Sequence, residues 1–592
     1  MSNSEPIKLR IPRQDLAEFT VFGLTAEQAE RWVETLPITN TVLVTQQLRD
    51  AIGELNRTNL RPDLRFQILE TLRPTADMVL TAMRHYYLNQ PVLLPEEPRK
   101  ASRLARSLLE ILATGYTISA IHTIQQRESL AGVNPAKLVC QAIHRAITTA
   151  SMKLLLSYQL YQPVELNAWT ELHQLYMLSE RQQLTSQIVG DNLFGDGSIA
   201  ETYLRGLMLG CCKPNQLRQR DLSGVFKGLR DWVRHTELLN PGQGNGLFLV
   251  DLASDYPPIY SSLYSDVPGP NCRLINTDSL VKHLDSVSED AGDRAIVFDK
   301  DNAVSPNVLD HIITAWGVMS KRNFARASAQ DKLWVSVGLS NTHYYVSGGI
   351  DFDEMIAGAT ATPAGNNPFD DSNQPHEKDV WDSAFANEDD EAEVIDLSDL
   401  EFHLREAKIP ADTGERHPVF PARMTNVSPG GYCLEWSAEI PSHVKTGDVI
   451  SVREVDNSAW SIAVIRWVSQ VREDTTLLGV ELLSPRAEPC AARIQHKTGE
   501  DGELMRALLL PEIKLVGQPY TLVTPRAGFK ERQKVTLIRN GEESYIQLFK
   551  KVASTAAYNQ FEFRYIQHLE EVAMRDRGDI INTQFESFWN NI

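Results

Sequence analysis

Two short stretches carry residues whose types and spacing could hold a ligand. Met424-Thr-Asn-Val-Ser-Pro-Gly-Gly-Tyr-Cys-Leu434 reads as a strand, a tight polar turn and a second strand. Asn426 and Ser428 stand two apart, so in extended chain their side chains share one side. Asn426 offers both a donor and an acceptor, and Ser428 a hydroxyl. Gly430 and Gly431 can take positive φ and keep side-chain bulk away from anything approaching the backbone. A hairpin corner with no ligand would also account for such a turn. The second stretch is Lys321-Arg322-Asn323-Phe324-Ala325-Arg326, followed after a polar step by the strand-like Leu333-Trp-Val-Ser-Val-Gly338. A guanidinium fork meets a phosphate in bidentate fashion. The spacing alone is not selective. Arg57/Arg61, Arg61/Arg65 and Arg99/Arg103 share it, and on helices it sets both charges on one solvated face. Position ahead of a strand is what singles out Arg322 and Arg326.

The rest of the chain must supply the elements that hold these residues. At 592 residues it is too long for one hydrophobic core, so several domains are expected. Its 58 Lys plus Arg stand against 77 Asp plus Glu, a formal charge of −19. That balance argues against a nucleic-acid or anionic-membrane protein, while leaving room for a local basic pocket. No apolar run approaches the ~20 residues of a membrane span. The N-terminus, MSNSEPIKLRIPRQD, lacks the apolar core of a signal peptide. A cytoplasmic protein is expected. The 6 cysteines are scattered, with no Cys-x-x-Cys, and read as reduced, structural thiols.

Catalysis finds little support. There is no His-Glu-x-x-His, no Gly-x-Ser-x-Gly and no Walker-type loop. No enzyme, metal or cofactor is expected. Gly246–Asp251 reads as a strand ending in an acid, but no glycine-rich loop follows it. His343, Tyr344 and Tyr345 read as strand residues rather than catalysts.

The pattern along the chain predicts a multidomain α+β protein. Residues 1–240 form an all-helical region, with apolar residues three and four apart in Arg103–Leu112 and Ala136–Ile147. Stacked hairpins of solenoid type fit it best, though no sequence repeat is evident. Pro74 and Pro135 read as helix starters or breakers, Asn134-Pro135 as a cap and first helical residue, and Ser198-Ile-Ala-Glu201 as a capping box. Residues 241–304 read as a small α/β unit, with strands at 246–251, 272–276 and 294–298 and a helix at 278–284. A helix over 305–321, with Pro306 at its first position, leads into a β-barrel comprising 305–349 and 404–490. Residues 350–403 form an acidic insertion whose only Lys or Arg is Lys378, expected to be disordered. Residues 500–592 form a β-rich domain with an asparagine-glycine turn at Arg539-Asn540-Gly541-Glu542, then a polar tail in which Phe585 and Trp589 dock on something.

Arginines four apart ahead of a barrel, with Asn-x-Ser-x-x-Gly inside it, resemble the PilZ family of cyclic di-GMP receptors. Trp460–Trp467 (WSIAVIRW) and Leu477–Leu483 (LLGVELL) look like that family's late strands. The resemblance covers roughly residues 320–349 and 412–487, and the long insertion between the motif halves departs from the family's short connection. The family more often has Asp where this chain has Asn426. The resemblance implies that Arg322 and Arg326 clamp cyclic di-GMP while Asn426, Ser428 and Gly431 complete the pocket. Arginine can also pair with guanine O6 and N7 or stack on the base. It further implies a receptor that couples the nucleotide to an unidentified protein partner through the helical region. The alternative is a degenerate barrel that serves as a protein scaffold without binding nucleotide.

Overall fold

A computed structural model of the chain describes residues 7–128, 130, 132–292, 294–318, 327–328, 332–359, 416–428, 430–436, 440–441, 444–455, 459–472, 475–495, 502–512 and 519–566. The chain divides near residue 321 into two compact units. The first opens with eight helices: α1 (Ala26–Glu34), α2 (Thr41–Arg57), α3 (Pro62–Tyr87), α4 (Glu96–Gln125), α5 (Pro135–Gln159), α6 (Ala168–Arg181), α7 (Ile199–Cys211) and α8 (Gln219–Trp232). A two-stranded ladder, β1 (Ile188–Val189) and β2 (Gly197–Ser198), separates α6 from α7. Local chemistry sets several helix starts. Asn134 accepts from the Lys137 amide ahead of Pro135. Ser198 and Glu201 form the expected capping box, each side chain bonding the other's backbone N–H.

Helix α5 is buried from Leu138 to Gln159 apart from Gln141, and α4, α6, α7 and α8 pack around it. A helix covered on every side is the centre of a globular bundle, which corrects the expectation of solenoid-type hairpins, where each repeat touches only its neighbours. Pro74 does not break a helix either, because α3 runs through it. In the turn just before the proline, Glu70 pairs with Arg145 and Arg73 with the buried Asp191, which anchors that turn. Nor do Arg57, Arg61 and Arg65 share a solvated face. Arg57 ends α2, Arg61 precedes α3, and Arg65 is fully buried, donating to the Leu55 and Thr58 carbonyls and to Gln14 Oε1.

Past the helices, β3 (Glu237–Leu239), β4 (Phe248–Asp251), β5 (Ile259–Tyr260) and β6 (Cys272–Asn276) form an antiparallel sheet in the order β3-β6-β4-β5. Helix α9 (Asp278–Ala291) follows, twice the expected length, then the hairpin β7 (Ile296–Val297) and β8 (Ala303–Val304). Helix α10 (Pro306–Gly317) starts at Pro306 as expected but ends at Gly317, four residues early. Ile275, Leu280, Leu284, Ile312 and Trp316 bury into the same core as the helices.

The second unit contains two barrels. In the first, β10 (Lys332–Val337), β11 (Phe420–Ser428), β12 (Gly431–Trp436), β13 (Val449–Glu454), β14 (Ser461–Arg472) and β15 (Thr475–Ser484) run in the order β10-β13-β14-β15-β12-β11. The β10–β11 pairing closes the ring, and β9 (Ala327–Ser328) adds to the far end of β11. Gly338, at φ 92°, ends β10 and starts α11 (Leu339–Val346). His343, Tyr344 and Tyr345 are therefore helical and not in a strand. His343 Nε2 bonds the Cys490 carbonyl, and Tyr345 OH donates to the His417 carbonyl. The insertion also begins with structure, as α12 (Phe352–Ala359). Phe352 is buried with Ala491 and Ile538 and lies under the Arg506 guanidinium. The expected loose chain over 360–403, and the tail bearing Phe585 and Trp589, lie outside the described residues.

The second barrel is closed by β16 (Glu488–Ile494), β17 (Met505–Leu510), β18 (Thr521–Pro525), β21 (Tyr558–Tyr565), β20 (Glu542–Ser554) and β19 (Lys534–Arg539), in that order. The Asn540-Gly541 turn joins β19 to β20 with φ of 49° and 84°, the two positive values of a type I′ turn. Leu508, Leu510, Val523 and Tyr558 of this barrel bury against Val449, Ile462, Val464 and Leu483 of the first.

Candidate functional site

Strand β11 would present Asn426 to the barrel interior if its alternation ran unbroken. Ala422 and Met424 are buried, and Asn426 is next in that series. A bulge between Met424 and Asn426 breaks it: Met424 pairs with Leu434, whereas Asn426 pairs with Cys433 and Ser428 with Gly431. Leu434 and Cys433 are consecutive and so face opposite sides of the sheet. One extra residue thus turns Asn426 and Ser428 onto the outer face. Thr425, the bulged residue, donates its hydroxyl to the Cys433 carbonyl at 3.0 Å.

Both motif side chains are half-buried. Ser428 Oγ donates to the Gly431 carbonyl at 3.2 Å, tying the turn across its mouth. Among the described residues the Asn426 amide has no hydrogen-bond partner, which leaves its donor and acceptor for something else. Gly431 has φ 146°, and a Cβ there would stand 2.1 Å from the Val480 carbonyl oxygen. β15 pressing on the turn is by itself enough to require the glycine.

Strand β15 extends this face. Cys433 lies opposite Gly479, and a Cβ on Gly479 would sit 1.8 Å from Trp467 Nε1. The indole of Trp467 on β14 therefore fills the hollow over Gly479, on the face that carries Asn426. Sequence reading treated Trp467 as the end of a strand. The clue was the glycine inside an otherwise bulky strand, which marks a close approach. Ion pairs flank the area, Arg423 with Glu435 and Arg466 with Glu481.

Arg322 and Arg326 lie outside the described residues. Strand β9, whose first residue Ala327 follows Arg326 directly, pairs with the motif: Ala327 opposite Val427 and Ser328 opposite Asn426. Among the described residues no cluster of His, Cys, Asp or Glu could hold a metal, and no helix is long and apolar enough to cross a membrane.

Comparison with known proteins accounts for nearly the whole chain. A family model described as "Cyclic-di-GMP receptor FimW, middle PilZ domain" matches residues 247–489. Models of that receptor's N-terminal domain and C-terminal β-barrel domain match residues 27–242 and 490–566. The cyclic-di-GMP receptor FimW of Pseudomonas aeruginosa is 31% identical over 590 residues, covering 95% of this chain and 94% of its own. No solved structure matches. With its bulged motif strand, its PilZ barrel and both flanking domains matched in order, the chain belongs to the FimW family of PilZ-domain receptors, which are binding proteins and not enzymes.

Proposed function

We propose that this protein is a cytoplasmic receptor that binds cyclic di-GMP on the outer face of its first barrel. The observation that carries the reading is the β9–β11 ladder. It brings the chain that leaves Arg326 alongside Asn426 and Ser428, since consecutive Cα atoms are only ~3.8 Å apart. Arg322 and Arg326 then grip phosphate and guanine, the Asn426 amide reads a guanine edge, and Ser428 and Gly431 shape the turn. Trp467 offers an aromatic surface close by. Calorimetry on the full chain should give binding at micromolar or lower concentration, weakened at least about tenfold by Arg322→Ala or Asn426→Ala. No heat from the wild-type chain at saturating nucleotide would sink the reading and leave a scaffold.

The same site supplies a route to an output. The chain passes from its first compact unit to its second at Lys321–Arg322, next to the proposed clamp. Nucleotide held by Arg322 and Arg326 restrains that passage, and so biases how the helical domain meets a protein partner. The bias requires the nucleotide to bind one arrangement better than another. Scattering profiles that superimpose with and without saturating nucleotide would exclude it.

A further inference from the structure

The first unit holds a second candidate site, far along the chain from the PilZ motif. Helices α3 and α8 wall a cleft of about 860 Å³, with α5 and α7 behind it and the turn of the β7–β8 hairpin at its rim. In a protein of net charge −19, its lining is basic: Arg84, Arg205, Arg220, Lys227, Arg230 and Lys300 against Asp77, Asp299 and Asp301. Arg220, Ser223, Lys227 and Arg230 follow at intervals of three and four, so a single face of α8 presents them. Lys300 comes from a fixed turn. Asp299 Oδ1 accepts from the Asp301 and Asn302 amides at 3.0 and 2.9 Å. Only a glycine at position 224 allows that hairpin to close on α8, since a Cβ there would stand 2.3 Å from the Ala303 carbonyl oxygen.

Arg205 is the informative member. It is 8% exposed, and its Nε and one terminal nitrogen donate to the Phe226 carbonyl at 3.0 and 2.8 Å. Its guanidinium lies 3.9 Å from the Phe226 ring centroid. Among the described residues no carboxylate pairs with it, nor with Arg84, Arg220 or Lys300. A buried cation without an anion is costly and persists where an anion can join it. Burial first, and then the charge of Arg230, draw the Arg205 pKa down to about 10 against the weaker pull of Asp191 and Asp231. Leu88, Met152, Leu155 and Phe194 add apolar lining. We propose that this cleft binds a phosphate-bearing small molecule of nucleotide size, its phosphates on the α8 cations and Arg205, its organic part on the apolar lining. The volume suits such a ligand, and arginine forks suit phosphate.

The test is calorimetry on the full chain at low salt with ATP, inorganic tripolyphosphate and citrate. The expected result is submillimolar binding of ATP and tripolyphosphate, with citrate weaker. Arg220→Ala with Lys300→Ala, both exposed, should weaken ATP and tripolyphosphate at least about tenfold, while Lys137→Ala on the exposed start of α5 changes nothing. Binding of cyclic di-GMP should be unaltered in the double variant, which reports an intact fold and separates this cleft from the PilZ site. The proposal is overturned if neither phosphate probe binds at millimolar concentration, if the double variant binds them as well as wild type, or if citrate binds as tightly.

Discussion

Backbone crowding and burial fix single residues in this protein. Gly431→Ala must place a Cβ against the Val480 carbonyl at a φ of 146°, a region that side chains avoid. The expected loss is about 2 kcal/mol or more of barrel stability, visible as a lower denaturant midpoint before nucleotide is added. A Gly431→Ala chain as stable as wild type would contradict the turn geometry. His173 makes a pH prediction. The Tyr256 carbonyl can only accept, so His173 Nε2 donates to it at 3.0 Å and Nδ1 accepts from Tyr203 OH at 2.7 Å. Burial lowers its pKa from 6.5 to about 4. Between those values the unfolded chain binds a proton that the folded chain refuses, so stability falls as pH drops through that window. Arithmetic gives about 2 kcal/mol lost from about pH 7 to about pH 5. Denaturant unfolding of His173→Gln should show a shallower pH slope than wild type, and equal slopes would refute the assignment.

At the scale of elements, the legible features were those decided by neighbours in sequence. The capping box at Ser198, the Asn134-Pro135 start and the Asn540-Gly541 turn all depend on contacts within four residues. Ser198→Ala should accordingly cost about 1 kcal/mol, read as a shift in the urea midpoint. An unchanged midpoint would mean that α7 is held by packing alone. Features decided at a distance were not legible. Pro74 sits inside α3 because Asp191, far along the chain, anchors Arg73. His343 and Tyr345 are helical because Gly338 turns the chain and the Cys490 and His417 carbonyls receive them. The spacing of Asn426 and Ser428 correctly put both on one face, but which face depends on the bulge at Thr425, and a bulge leaves no period of its own in sequence. The basic cleft was hidden for the same reason, its cations coming from α3, α7, α8 and a hairpin turn.

On the scale of the whole molecule, length correctly forecast several domains, and the late strands of the PilZ barrel were found close to where they lie. Replacing residues 362–412 by a Gly/Ser linker of about a dozen residues, with α12 retained, should raise barrel stability by at most about 1 kcal/mol, since closure entropy grows with the logarithm of length. A large loss on denaturant unfolding would show that the acidic chain packs. The two barrels present a different case. Leu508, Leu510 and Tyr558 share a buried core with Val449, Ile462 and Leu483, and the Thr555 hydroxyl donates to the Gly447 carbonyl at 2.7 Å. Pulled at residues 420 and 565 of the full chain in an optical trap, the stretch between them should therefore rip open in one event, releasing about 500 Å of contour at ~3.5 Å per residue. A gene cut between the matched domains at residue 489 would give a fragment that clumps in the tube, however complete its own ring of strands.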